Sequence, residues 1–457
     1  MTTAPAPDRA EPGLDLPDGD LRDSPTLRDR LPGLPVALDP AAMGPRLQAL
    51  LIGPAYALVD CRPGTVWYRP DGGCDLRYAV RLGHRASGAI EPATVLARML
   101  PTSAAVDEYL RTEIDPLVPA RRHHPGPFAA AAGAAADLRL AVHVFPLDPA
   151  LPTLAAATDP SQVLAALPGA FGSGTPAGPV EVVRHSRTGR CVLRFPRNGG
   201  RCVYGKVHSD ATGATVHRLL GALHPAVAGE LRVPRPLGYA SALRTALCET
   251  VPGRPVDPTI PGDPLTGVLA AARAAAVLHA VPLPAAVTPP LAAQLTALRA
   301  ELAVIRPLWP QVAARLDSEL AELRGVAVAT AALPPRFSHG DLTPSQVLID
   351  SVGGRCGVVD FDAAAAAEPA ADLGRFRCYL RLALARAGSA AGPGLADTFL
   401  EAYLRYAEPT GTTTITARVA LYERLNLVHV AVRACRQLKS RRLRAALSLL
   451  NEEVPRP

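Results

Sequence analysis

His339, Gly340 and Asp341 are followed five residues later by Gln346, and Asp360-Phe361-Asp362 begins nineteen residues after Asp341. One carboxylate can orient a hydroxyl and accept its proton. A second carboxylate and an amide oxygen can hold Mg²⁺ against phosphates, and together these are the needs of phosphoryl transfer. The same chemistry wants a cation on the phosphates. The chain has 48 basic residues, yet only Lys206 and Lys439 are lysine. A lysine at an interior strand position of so arginine-rich a chain points to a task for a compact ammonium group. Lys206, in the strand pattern of residues 202–207, is placed to reach the α- and β-phosphates.

The elements around these residues bring them together. Val347-Leu348-Ile349 and Gly357-Val358-Val359 flank Gly353-Gly354 and predict a short hairpin. Asp341 then lies in the loop before its first strand, Gln346 at that strand's entrance and Asp360 at the exit of the second, so all three gather at one end. The apolar strands bury the hairpin, and a buried carboxylate needs a partner such as a metal. Upstream, residues 180–195 alternate with period two and predict a hairpin, with the 202–207 strand behind it. A short amphipathic helix follows at 214–223, then strands at 233–239 and 245–251. Beyond Pro255 the period becomes helical, through 265–281, 291–305, 312–329, 370–387, 395–408 and 415–449. Only the catalytic hairpin interrupts that half.

In these residues the chain resembles the aminoglycoside phosphotransferase and choline-kinase-like branch of the protein-kinase-like fold. The resemblance rests on Lys206, the hinge-like stretch 247–253, Leu278-His279, His339-Gly340-Asp341, and Asp360-Phe361-Asp362 with residues 368–374, and it covers about 175–450. It implies an α+β, two-lobed fold, with a β-rich small lobe (175–255) and a helical large lobe carrying the catalytic loop (256–457). It also implies a kinase with ATP or GTP between the lobes. In that frame Asp341 is the catalytic base with His339 beside it, and Gln346 and Asp360 are ligands of Mg²⁺. Lys206 and the Ser186, Thr188 and Gly189 loop hold the nucleotide phosphates, the backbone from Glu249 to Val251 holds the base, and Asp372 anchors the catalytic loop. The acceptor is a small-molecule hydroxyl (of a sugar, an aminoglycoside or another secondary metabolite) or a Ser/Thr of a precursor peptide. The region 281–330 and the C-terminal helices are expected to form its wall. The charges of 281–330 are mixed, which does not favour a strongly cationic acceptor.

Three features depart from the family pattern. Gln346 stands where asparagine is usual, the helix after Lys206 has Thr215 where a lysine-pairing glutamate belongs, and the nucleotide loop has one glycine in place of several. They keep open a second reading, a catalytically silent kinase-like binding module.

Ahead of the kinase-like part, residues 1–40 read as a flexible leader and 41–165 as a small α/β accessory domain that could dock a protein partner. A hairpin is expected at 66–82 around Asp71-Gly72-Gly73, helices at 91–100 and 104–114, and a loop at 121–137 in which His123 and His124 are exposed and bind no metal. Cys74-Asp75-Leu76-Arg77-Tyr78 echoes Cys191-Val192-Leu193-Arg194-Phe195, either by duplication of a hairpin or by chance. At 48% hydrophobic and 19% charged residues the chain can bury sizeable cores. It has no uncharged apolar run long enough to span a membrane and no secretory signal, and its eight cysteines form no C-x-x-C pair, so a reduced, cytoplasmic protein is expected. The net charge of +7 owes much to residues 433–444, where no aromatic residue interleaves the cations. That argues against nucleic acid and reads as a solvated helix face, or else as the seat of an anionic ligand or acidic partner.

Overall fold

The computed structural model describes residues 20–452 apart from 122–125, 173–177, 187–188, 198–201, 260–263, 351–354, 390–391 and 408–411. In place of the leader expected over 1–40, its described part is helical: α1 (Pro25–Arg30) and α2 (Leu34–Ala37) bury Leu27 and Leu34, and Ser24 caps α1. α3 (Pro40–Leu51) follows, capped by Asp39.

A six-stranded antiparallel sheet comes next, built from β1 (Tyr56–Pro63), β2 (Trp67–Tyr68), β3 (Cys74–His84), β4 (Ile90–Met99), β5 (Ala132–Ala135) and β6 (Leu140–Val144) in the order β1-β3-β4-β6-β5, with β2 paired to the start of β3. β3 forms because Leu76, Tyr78, Val80 and Leu82 alternate inward. Residues 91–100, expected as a helix, are strand β4. Its Ala and Leu content favours a helix locally, but its place between β3 and β6 supplies ladder partners on both edges and overrides that preference. The expected loop at 121–137 holds strand β5, and His123 and His124 lie outside the described residues. α4 (Ser103–Tyr109), running on into a π-turn at Leu110–Ile114, and α5 (Val118–Arg121) connect β4 to β5. α6 (Leu154–Ala157) and α7 (Pro160–Ala166) lead into the second sheet.

That sheet has five strands: β7 (Glu181–Ser186), β8 (Arg190–Pro196), β9 (Cys202–His208), β10 (Pro236–Ala240) and β11 (Thr245–Glu249), in the order β10-β11-β9-β8-β7, with α8 (Thr212–Val227) between β9 and β10. Leu154, Val163 and Phe171 pack on its Leu193, Phe195 and Val203, so the segment 151–171 covers this sheet's apolar face.

The two sheets repeat one design. β2 apart, each strand of the first has a counterpart of the second in the same chain order and sheet position, with a helix between the third and fourth in both. The registers agree as well. Asp75 faces Arg98 as Val192 faces Lys206, and Arg98 faces Ala141 as Lys206 faces Ala246. Gly133 faces Val142 as Gly238 faces Leu247. Arg139 and Arg244 both sit in left-handed backbone, at φ 49° and 47°. Each accepts the next amide across the ladder (from Leu100 and His208) and caps the following carbonyl (of Pro101 and Ser209) with its guanidinium. The echo of Cys74–Tyr78 in Cys191–Phe195 falls on equivalent strands, and Gly133-x-Ala135-x-x-Leu138-Arg139-x-Ala141 matches residues 238–246 at the same five positions. Coincidence does not reproduce topology, register and sequence together.

The rest is helical around short strand pairs. β12 (Arg254–Pro255) precedes the Ala-rich α9 (Pro264–Ala280), and α10 (Leu291–Ile305) and α11 (Pro310–Ala329) follow. β13 (Arg336–Ser338), β14 (Val347–Ile349), β15 (Cys356–Val358) and β16 (Ala365–Ala367) carry the catalytic segment; β14 pairs with β15 as the expected hairpin, and β13 with β16. α12 (Pro369–Arg386), α13 (Gly392–Ala407), α14 (Thr412–Arg436) and α15 (Ser440–Asn451) close the lobe. One hydrophobic core runs without a break from the first sheet into these helices. Among the described residues no helix is long and apolar enough to cross a membrane.

Candidate active site

β13 delivers the chain into His339-Gly340-Asp341, where the backbone must turn sharply. Gly340 has φ +77°, and a Cβ there would lie 2.0 Å from the Ala363 carbonyl oxygen, so glycine alone fits. Asp372, in the first turn of α12, accepts the amides of His339 (2.6 Å) and Gly340 (2.8 Å). Its carboxylate is thus spent on the loop, and α12 has no side-chain cap. His279 of α9 lies 3.3 Å from the same carboxylate through Nε2 and takes the Tyr403 hydroxyl on Nδ1 at 2.9 Å. Burial alone would raise the Asp372 pKa; the hydrogen bonds from His279 and from the loop amide of His339 outweigh it and hold the carboxyl below its usual range.

Asp341 is half-buried. Its amide donates to His339 Nδ1 at 3.2 Å, and its carboxylate pairs with Arg375 of α12. His339 is fully buried and donates from Nε2 to the Val359 carbonyl at 2.9 Å. With both nitrogens engaged in this way, its ring braces the loop from beneath and does not face the cleft.

β14 and β15 converge as expected, so Gln346 Nε2 meets Asp360 Oδ2 at 3.2 Å. Asp360 occupies left-handed backbone at φ 74°, which turns its carboxylate out of the hairpin toward β9. There Lys206 Nζ meets Asp360 Oδ1 at 2.6 Å and Asp362 Oδ1 at 2.8 Å. Arg190, at the start of β8, contacts Asp360 at 3.2 Å and also pairs with Asp362. The glutamate missing from the helix after Lys206 is therefore replaced by Asp362, two residues beyond Asp360. Burial pushes the Asp360 carboxyl up, but Lys206 and Arg190 hold it below its usual range, and the same contacts raise Lys206 against its own burial.

Gly189, at φ +72°, tips the β7–β8 hairpin so closely over Ser209 that a Cβ would meet Oγ at 2.6 Å. Thr188 lies outside the described residues. Ser186, at the end of β7, lines a larger cavity behind the hairpin. Glu249 ends β11, pairs with Arg235 at 2.9 Å and donates its amide to the Arg235 carbonyl, while Val251 packs against Gly357. Between hairpin and catalytic loop lies a cleft of about 320 Å³, lined by Gly189, Arg190, Asp341, Asp362 and Arg375. No residue of 281–330 lines it or the larger cavity, whereas α14 and α15, among the C-terminal helices expected beside that region, line the larger cavity. Arg190 and Arg375 escape a reading of the sequence. The signals for them are position: Arg190 follows the hairpin glycine, and Arg375 lies three residues, one helical turn, after Asp372.

Asp360 brings a carboxylate and Gln346, whose amide nitrogen donates to it, an amide oxygen on the same side chain. Such hard oxygens suit Mg²⁺, an ion that takes one or two carboxylates and completes its shell with water and phosphate oxygens. Among the described residues no group of three or more His, Cys, Asp or Glu side chains could hold a metal.

No curated protein matches the chain in sequence. Its fold is similar to that of the GDP and kanamycin complex of APH(2")-IIia (18% identity, 64% of this chain and 96% of that one, TM-score 0.45). It is similar also to macrolide 2'-phosphotransferase MphH from Brachybacterium faecium (17%, 61% and 92%, 0.40) and to choline kinase from Cryptosporidium parvum Iowa II (12%, 59% and 87%, 0.45). The model of the phosphotransferase enzyme family (APH) matches residues 180–416, over half of the sequence. With the two-lobed protein-kinase-like architecture and the catalytic loop in place, the chain belongs to the phosphotransferase enzyme family.

Proposed function

We propose that this enzyme moves the γ-phosphoryl group of ATP or GTP to a hydroxyl of a small molecule. The observation that carries the reading is the meeting of Lys206 with Asp360, 154 residues apart in sequence, and with Asp362, which lines the cleft that also holds Asp341. Lys206 and Arg190 are the cations that would turn from the carboxylates to the nucleotide phosphates. Asp360 and Gln346 would hold Mg²⁺, which neutralises phosphate charge when bound. The acceptor hydroxyl gives its proton to the Asp341 carboxylate and its oxygen forms the new bond to phosphorus. The bond from phosphorus to the bridging oxygen breaks, and the nucleoside diphosphate leaves with that electron pair. His339 positions Asp341 and does not touch the reacting atoms; Gly189 and the backbone at Glu249 and Val251 border the nucleotide, whereas Ser186 faces the cavity behind the hairpin. Chain organisation is part of the proposal: an accessory unit ending near residue 150, a small lobe that includes the 151–171 segment, and the helical lobe. So is a cytoplasmic setting, which the eight free cysteines suit.

Asp341→Asn should reduce phosphate transfer by about 10²–10⁴-fold while ATP and Mg²⁺ still raise the melting temperature. Lys206→Ala should abolish that thermal shift. Transfer at the wild-type rate in the first variant would remove Asp341 from its role, and the absence of any nucleotide-dependent shift in the wild type would favour a silent binding module.

A further inference from the structure

Behind the β7–β8 hairpin, a cavity of about 940 Å³ opens between the first sheet, β7 and the corner where α14 meets α15. Arg77, Arg184, Arg433, Arg436, Lys439 and Arg442 line it. Among the described residues only one of these six has a carboxylate in ion-pair range, Arg436 with Glu301 at 3.8 Å. Of the acids in the lining, Asp75 is spent on Arg69 (3.0 Å) and Asp148 on His185 (2.6 Å), which leaves Glu113. Arg433 Nε and Gln437 Oε1 are buried in this wall without a hydrogen-bond partner. Burial and neighbouring cations push Arg433 and Lys439 below their usual pKa values. In the stretch 433–444, Arg441 and Arg444 are exposed as a solvated face would have them, but Arg433, Arg436 and Arg442 are partly buried and turn into the cavity. The wall is a concentration of guanidinium groups, which pair with oxyanions in bidentate fashion, and it lacks the oxyanions.

The repeated sheet adds an independent observation. Arg98, which also lines the cavity, occupies in the first sheet the register position that Lys206 holds in the second. The hairpin tip beside it carries Gly72 at φ 81°, as Gly189 stands at φ 72°. Asp71 of that tip holds Arg98 at 2.6 Å. The first sheet therefore turns toward this cavity the face that the small lobe turns toward the phosphate cleft. The cavity is also close to the chemistry. Arg375, paired with Asp341, lies 5.4 Å over the Tyr379 ring, and Arg442 lies 5.9 Å over the same ring.

We propose that this cavity seats the acceptor, and that the acceptor is a small molecule carrying two or more phosphate or carboxylate groups beside the hydroxyl that is phosphorylated. The assignment of the occupant as acceptor rests on the phosphotransferase reading above; its charge rests on the cavity alone.

The test is calorimetric titration of the full chain, saturated with ADP and Mg²⁺ so that the nucleotide site is filled. The probes are fructose 1,6-bisphosphate, tricarballylate and, as a cation, spermine. At least one anion should bind with unit stoichiometry, and spermine should not. Tighter binding of the bisphosphate marks a phosphate-bearing acceptor, and the reverse order a carboxylate. Arg433→Gln should weaken anion binding by about tenfold or more, the loss of one charge-assisted contact. The exposed pair Arg184→Gln with Lys439→Gln should do the same without risk to folding. Binding of neither anion, or equal binding by wild type and both variants, overturns the proposal. ADP binding, measured first and expected to vanish in Lys206→Ala, reports on the nucleotide site separately. A chain that takes ADP but no anion sinks this inference alone, and one that takes anions but no ADP sinks the phosphotransferase reading instead.

Discussion

Gln346 reaches Asp360 at 3.2 Å because its side chain is one methylene longer than the asparagine usual at that place. Gln346→Asn should lose that reach, and the Mg²⁺ concentration needed for half-maximal transfer should rise by about 10–100-fold, the usual cost of disturbing a ligand's surroundings. An unchanged metal requirement would show that Gln346 is not a ligand. The residues of the site were readable from sequence where they lie together: Asp341, Gln346 and Asp360 stand within twenty positions, and the hairpin between them follows from its apolar triplets. Their partners were not readable in the same way. Arg190 reaches Asp360 across 170 residues, and nothing in local pattern links the two. Asp362 was visible beside Asp360, but that it takes the place of the absent glutamate depends on the left-handed turn at Asp360, a tertiary fact.

At the scale of elements, α9, α12 and the catalytic loop are joined through one buried carboxylate. Asp372→Ala would leave the amides of His339 and Gly340 without an acceptor, at about 1–3 kcal/mol for each group so orphaned. The denaturation midpoint should fall accordingly, and transfer should fall further than stability does because the loop carrying Asp341 loses its anchor. A variant that is destabilised yet turns over normally would make Asp372 a purely structural residue. Period and composition identified α9 to α11, the catalytic hairpin and the meander of β7 to β9, since in each the apolar spacing is set by one buried face. They failed at β4, whose mixed sequence becomes a strand because both neighbours in the sheet demand one. They also failed at β5, where Ala132–Ala135 has no alternating pattern to read.

Across the whole molecule, two buried histidines set how the enzyme responds to acid. Burial pushes His143 down to about 4, against the Leu147 carbonyl that its Nδ1 meets at 2.7 Å, and pushes His429 to about 4 as well. Both stay neutral in the folded chain, whereas an unfolded histidine binds a proton near 6.5. Between those values the unfolded state carries more protons. Stability is therefore complete above about pH 6.5 and falls as pH drops toward 4, by something on the order of a few kcal/mol in all. Asp360 and Asp372, held below the usual carboxylate range, withdraw their contribution only at lower pH still. Thermal unfolding from about pH 7 to about pH 5 should show a falling midpoint, less steep in His143→Gln; a flat profile would contradict the assignment.

The first sheet and the last helices are fastened to each other. Arg436 donates to the Tyr68 carbonyl at 3.1 Å and lies 4.4 Å over the Trp67 ring, and Ser440 joins Asp20 and Leu21. Seen from the ribosome, this fastening sets a schedule. Tyr68 emerges 368 residues before Arg436, an interval of about 20–70 s at ~5–20 residues per second. Throughout that time the sheet has the preceding helices α1 to α3 to pack on, but the last helices into which its core continues are not yet made. A nascent chain arrested before α14 should be held by chaperones that grip exposed apolar surface and let go only once α15 has been translated.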